Sequence, residues 1–232
     1  MSATLLPGPP SRSTRLAVKL LFRGQRLLGR HHYDDFILER VAGVPILVTP
    51  SVFNPKRLRT GAFFASVLAP PLIDLDTTVL DMGTGSGVCA VFAAKSGARV
   101  VAVDINRAAT HCARVNALLN RVEQRIDVRE GDLFTAVPGR RFDLVLFNPP
   151  FLRGTPRDDR DRAWRSEDVP ERFAAELRDH LNPRGCALLL LSTFGDSGRF
   201  LDELRHRGHA LSLVAQRDCF GERLGVFRVV PP

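Results

Sequence analysis

Lysine, tryptophan, tyrosine and cysteine are all scarce in this chain, and no long apolar run occurs. Of 33 basic residues only Lys19, Lys56 and Lys95 are lysines. Two readings fit this arginine excess and the net charge of +8: a coding bias, or a polyanionic partner such as RNA or a ribosome. The four cysteines (Cys89, Cys112, Cys186, Cys219) are scattered and contain no CxxC pair. That argues against a zinc site and a disulfide framework. They read as small core hydrophobes in a reducing compartment, so a cytoplasmic location is expected. With no run of about 18 apolar residues, no membrane span is expected. His31 and His32 lack a metal-ligand partner at suitable spacing, so no metal is expected. There is no internal repeat. A length of 232 residues with 44% hydrophobic content fits one domain with a short extension.

The extension is assigned to residues 1–50 and the main domain to 51–232. Residues 1–13 are rich in Pro, Ser and Gly. Over 14–30 the basic residues Arg15, Lys19, Arg23, Arg26 and Arg30 recur at helical spacing and share one stripe. Three readings stay open for it: a docking face for nucleic acid or an acidic partner, a solvated helix face, or a cleavable targeting segment. Residues 36–50 suggest a hairpin around Ala42–Gly43, and a helix is expected from about Gly61. From Thr77 onward, apolar strands alternate with helices. Helices are expected over Ser86–Ser96, Asn106–Asn120, Pro170–Leu181 and Gly198–Arg207. The chain closes on two antiparallel strands. The pattern predicts an α/β fold with a mostly parallel sheet covered on both faces.

Chemistry gathers at the ends of the strands. "VLDMGTGSG" (Val79–Gly87) is a strand, a glycine-rich turn and a helix start, and Gly83, Gly85 and Gly87 let a ligand approach the backbone. Asp104 ends the next strand and can accept from ribose hydroxyls, and Asp132 ends the third, where it can meet an adenine amine. Asp81 beside the glycines repels phosphates but suits a cationic amino-acid moiety. Together these favour S-adenosylmethionine as cofactor. Thr84, Ile105 and Leu133 flank the three aspartates and complete the candidate cofactor site, together with Asn148. The fourth strand ends in "NPPF", Asn148–Phe151. The Asn148 side-chain oxygen and the Pro149 carbonyl can each accept one N–H of a planar NH2 group, and Phe151 can lie against its face. Asn148, Pro149 and Phe151 are therefore the candidate catalytic residues.

In this order, "VLDMGTGSG", "AVDIN", "GDLF" and "NPPF" resemble a class I, Rossmann-like S-adenosylmethionine-dependent methyltransferase, with the HemK-related branch most similar. The resemblance implies a seven-stranded sheet whose last strand is antiparallel. It also implies N-methylation, with a protein glutamine of the release-factor or ribosomal-protein kind as leading acceptor. An RNA exocyclic amine and a small-molecule nitrogen are the alternatives. "DRAW", with Asp161, Ala163 and Trp164, fits the same branch. Two departures bear on the acceptor. The loop "FNPKRLRTG" is basic where the branch carries acids, and Phe53 and Gly61 in it resemble ribosomal RNA guanine methyltransferases. Leu152 stands where those enzymes carry histidine. The loop places Arg57 and Arg59 toward the cofactor, as phosphate contacts or as solvated charges. Residues 153–172 hold six arginines and six acids, which reads as a salt-bridged flap over the substrate, with Trp164 sealing it or filling a gap.

Overall fold

The structure is a computed structural model that describes residues 35–56, 59–68, 72–158, 161–219 and 222–232. The basic stripe of 14–30, His31, His32 and Arg57 lie outside the described residues.

Seven strands form one sheet: β3 (Thr78–Met82), β4 (Arg99–Asp104), β5 (Ile126–Glu130), β6 (Phe142–Phe147), β9 (Leu181–Ser192), β10 (Ala210–Cys219) and β11 (Glu222–Val230). Their order is β10-β11-β9-β6-β3-β4-β5. All pairings from β9 to β5 are parallel. β11 runs antiparallel to both its neighbours, so it alone of the seven is reversed. The expected mostly parallel sheet with an antiparallel last strand is what the chain forms. Its inner strands are largely apolar because both faces are covered. In β6, Leu144 and Leu146 pack on one face with Phe64 and Val91, while Val145 and Phe147 pack on the other with Phe173 and Phe200. Helices α1 (Thr60–Ser66), α2 (Val88–Lys95) and α3 (Arg107–Leu119) cover the first face, and α4 (Val169–Glu176) and α5 (Ser197–His206) the second. Among the described residues no helix is long and apolar enough to cross a membrane.

Ahead of the sheet, β1 (Ile37–Val41) and β2 (Val44–Val48) form the expected hairpin. Ala42 and Gly43 both have positive φ, +45° and +84°, as a tight two-residue turn demands. A single buried carboxamide fastens the hairpin to the body. Asn116 of α3 accepts from the Leu47 N–H at 2.7 Å and donates to the Leu47 carbonyl at 2.6 Å and to the Ser86 carbonyl at 2.8 Å. The hairpin is thereby tied to the glycine turn, and the chain leaving β2 runs over the strand ends.

Two local expectations need correction. The helix expected over Pro170–Leu181 is α-helical only to Glu176, then winds tighter through Leu177–His180. There His180 stacks on Phe134, 4.4 Å between ring centroids, and its Nδ1 meets the Arg140 carbonyl at 2.8 Å. β9 begins at Leu181, before the expected "CALLLLS", and its register against β6 shifts between Phe142 and Leu144, so "NPRG" is an irregularity inside the strand. The flap contributes two short strands of its own. β7 (Leu152–Arg153) pairs in parallel with β8 (Arg165–Ser166), closing it on itself.

Candidate active site

A cleft of about 280 Å3 opens at the carboxyl ends of β3, β4, β5 and β6. At its first end the turn after β3 exposes backbone. Gly83 and Gly85 have φ of +63° and +55°, and nothing stands within 4 Å of where a Gly85 side chain would begin. Asp81 is buried below this turn. It accepts from Thr84 Oγ1 at 2.6 Å and from the Ala90 N–H at 3.0 Å. Burial still dominates, and the Asp104 charge adds to it, so the Asp81 carboxyl is pushed up to about 7. Asp104 binds the turn directly. One oxygen accepts from the Gly85 N–H and the other from the Asn106 N–H, both at 2.9 Å. Burial raises its pKa too, against these hydrogen bonds. Ile105 adds a third backbone donor, and the carboxylate keeps acceptor capacity for a ligand hydroxyl.

At the adenine end, Asp132 lines the cleft with one oxygen already held by Arg172 Nη2 of α4 at 2.7 Å. Leu133 next to it has φ +49°, a left-handed value that costs a non-glycine residue about 1–3 kcal/mol and that the surrounding fold must enforce. Ile105 forms the exposed rim.

The other wall is Asn148–Phe151, and it faces two spaces. It lines the cleft and also a second cavity of about 30 Å3 shared with Thr60, Ser192, Ser197 and Arg199. Phe151 is held edge-on by Trp164 (5.4 Å, 79°) and by Phe194 (6.1 Å, 71°). Beneath it the Phe151 carbonyl accepts from the Asp196 N–H at 2.9 Å, and Gly195 lies so close that any side chain there would stand 2.5 Å from the Phe151 Cβ. Trp164 also contacts Phe53 (5.1 Å), so it joins the segment after β2 to the NPPF wall. The flap carrying Trp164 is salt-bridged. Asp161, 7% exposed, pairs with Arg157 at 3.0 Å and Arg165 at 3.3 Å, and its carboxyl is held at about 2, chiefly by Arg157.

The structure brings Asp81, Gly83, Thr84, Gly85, Asp104, Ile105, Asp132, Leu133, Asn148, Pro149 and Phe151 to one cleft. Gly87 is absent from its wall. It caps α2 with φ +78°, and a side chain there would come within 2.9 Å of the Ala113 backbone, so its glycine serves helix packing. Arg59 is exposed and caps α1 with φ +61°, outside both cavity walls. Sequence reasoning missed Thr60, Arg172 and Gly195, whose places depend on contacts remote in the chain. The composition of the cleft, two acidic groups beside an open glycine backbone with a third acid beyond, fits S-adenosylmethionine, a cationic ligand with a ribose and an adenine.

Comparison with known proteins shows the family. The family model "Methyltransferase small domain" matches residues 43–216. A protein from Methanocaldococcus jannaschii named for protein N5-glutamine methyltransferase activity is 31% identical, the match covering 76% of this chain and 90% of that protein. The release factor glutamine methyltransferase of Koribacter versatilis is 33% identical, with 68% of this chain and 66% of that one covered. Among solved structures, a ribosomal protein L11 methylase from Lactobacillus delbrueckii subsp. bulgaricus superposes with a TM-score of 0.53 at 21% identity, over 78% of this chain and 82% of that one.

Proposed function

The chain is a methyltransferase of the methyltransferase small-domain family, and from that premise we propose that it methylates a planar amide nitrogen, the side chain of a glutamine in a protein substrate, using S-adenosylmethionine. Gly83, Thr84, Gly85 and Asp81 would hold the methionine end, Asp104 with Ile105 the ribose, and Asp132 with Leu133 the adenine. When bound, the cofactor supplies a methyl group activated by its sulfonium sulfur. Everything else falls to the chain. An amide nitrogen is a poor nucleophile because its lone pair is delocalised into the carbonyl. The Asn148 side-chain oxygen and the Pro149 carbonyl accept its two N–H groups. They fix its direction and favour the positive charge that develops on it. Phe151, locked between Trp164 and Phe194, offers a flat face to the amide plane. The segment 51–55 and the flap cover the cleft and limit water.

One observation carries this reading. Asn148 directly follows the inner strand β6, is partly exposed, and fronts both spaces. A carboxamide in that place offers one acceptor oxygen and two N–H donors to a ligand in the cleft. The glutamine acceptor is supported by the two relatives named for that activity. Translation proteins as acceptors would place the enzyme in the cytoplasm. To test it, the enzyme is incubated with methyl-labelled cofactor and a fractionated cell extract. Label that protease removes and nuclease spares, mapped to glutamine by mass spectrometry, is the expected result. Label removed by nuclease, with RNA affinity falling steeply in salt, would replace the glutamine with a base amine.

A further inference from the structure

At the adenine end of the cleft one ion pair stands apart from the salt bridges of the flap. Arg172 Nη2 donates to Asp132 Oδ2 at 2.7 Å, and both side chains line the cleft, 34% and 40% exposed. Two ordinary uses of such residues do not account for the pair. Asp132 stands in the capping position of the tight turn Leu133–Ala136, yet its side chain makes no capping bond there. A pair so accessible to water also contributes little to folding stability. What the fold does supply is a rigid mount. Phe173 of α4, next to Arg172, is fully buried and stacks on Phe134 of that turn, 5.5 Å between ring centroids and 27° between planes. The Gly131 N–H donates to the Asp104 carbonyl at 3.0 Å and fixes the backbone just before Asp132. Backbone and helix are thereby set opposite one another. The Asp132 carboxylate itself still turns about single bonds, and Arg172 is the group that holds it.

We infer that Arg172 is a positioning residue for the cofactor's purine: by holding Oδ2 it turns the Asp132 carboxylate so that its remaining acceptor capacity meets the exocyclic amine, and the cleft becomes selective for adenine over hypoxanthine. The inference rests on the S-adenosylmethionine reading above and deepens it. An ionised carboxylate accepts several hydrogen bonds and donates none. One bond to Arg172 leaves capacity for an amine N–H, whereas a purine carbonyl in the same place meets a like partial charge. An unclamped carboxylate spreads its acceptors over several directions. One clamped by a charge-assisted bond presents them in one. A site built to bond an N–H group rejects an analogue lacking it far more strongly than a fit to shape does.

The test is calorimetric binding of S-adenosylhomocysteine and of S-inosylhomocysteine, in which a carbonyl replaces the purine amine. Wild type is compared with Arg172→Met, which removes the donors, and Arg172→Lys, which keeps the charge without the planar fork. Wild type is expected to prefer the adenosyl ligand about 10- to 100-fold, the scale of a hydrogen bond to a charged group. Arg172→Met should bring the preference to about three-fold or less by weakening the adenosyl ligand, and Arg172→Lys should restore part of it. Melting midpoints without ligand should stay within about 2 °C of wild type, as for a pair open to water. An unchanged preference in Arg172→Met overturns the inference, since Asp132 is then oriented without Arg172. A preference that rises also overturns it, since the guanidinium then touches the purine itself. Equal loss of both ligands with a lower melting midpoint marks a structural pair and overturns it as well. A wild type that binds both ligands equally removes the amine from Asp132 but leaves the cofactor in place. A wild type that binds neither overturns the S-adenosylmethionine reading itself.

Discussion

The two ends of the active-site cleft are built in opposite ways. Where the glycine turn meets Asp104, the polar groups answer one another: Gly85 and Asn106 donate to Asp104, and Thr84 and Ala90 donate to Asp81. At the NPPF wall Asn148 is only partly buried and fronts two cavities. The first end is rigid and satisfied because it hangs on adjacent parallel strands whose ends are fixed by the ladder. The second is completed by the flap, the segment after β2 and the turn below Phe151. The contrast teaches where each half of the chemistry resides. On the proposed function the cofactor end would bind by preformed charge and exposed backbone, and the acceptor end would offer Asn148 to the substrate.

Substitutions can break that contrast, and the largest effect is expected at the acceptor end. Asn148→Ala should lower kcat about 100- to 1,000-fold, the scale of losing one aligned polar group at the reacting centre, while cofactor affinity measured by calorimetry stays within about three-fold. At the cofactor end the pattern inverts. Asp104→Ala should weaken cofactor binding about 10- to 100-fold, because it removes hydrogen bonds to a charged group and also frees the Gly85 N–H. Calorimetry with both variants decides whether the two halves are separable.

A pH titration sharpens the comparison further. Free Asp81 has its carboxyl at about 7, and a cationic ligand favours the ionised form. Cofactor affinity should therefore rise with pH, about ten-fold between pH 6 and pH 8, for one linked proton. Asp81→Asn should flatten that profile. Stability of the unliganded protein has the opposite sign. A carboxyl raised on folding contributes stability that is complete below its unfolded value of 3.8 and is lost as pH rises through about 7. Melting curves from pH 4 to pH 8 check it.

A smaller effect is expected from Gly195→Ala. The added carbon would meet the Phe151 Cβ at 2.5 Å and its carbonyl at 2.6 Å, so the NPPF wall must shift. We expect about ten-fold lower kcat/KM from misplacement of the ring with cofactor binding intact, measured by steady-state kinetics beside calorimetry. Unaltered kinetics would show that the position of Phe151 is unimportant to the acceptor.

How much of this was legible beforehand follows the same division. Asp81, Gly83, Gly85 and Asp104 were readable because a strand, a turn and the next strand's end are local patterns, and a parallel sheet forces neighbouring ends together. Asn148–Phe151 was readable because two prolines after an apolar strand have few other uses. The salt-bridged flap followed from its balanced charge, and Asp161 with Arg157 and Arg165 forms part of it. Gly195 was not legible, since a glycine after an apolar strand gains meaning only when the fold sets it against Phe151. Neither was the hold of Arg172 on Asp132, 40 residues apart, nor the tie from Asn116 to both the hairpin and the glycine turn. The crowding of Gly87 against Ala113 on another helix was equally hidden.

The most direct test of the central claim is a crystal structure of the enzyme with S-adenosylhomocysteine and a release factor or glutamine peptide bound together. The account predicts the acceptor nitrogen within about 3 Å of both the Asn148 side-chain oxygen and the Pro149 carbonyl, with its lone pair aimed at the sulfur. A ternary structure in which Asn148 turns away from the sulfur, with the glutamine nitrogen held by other groups, would contradict it.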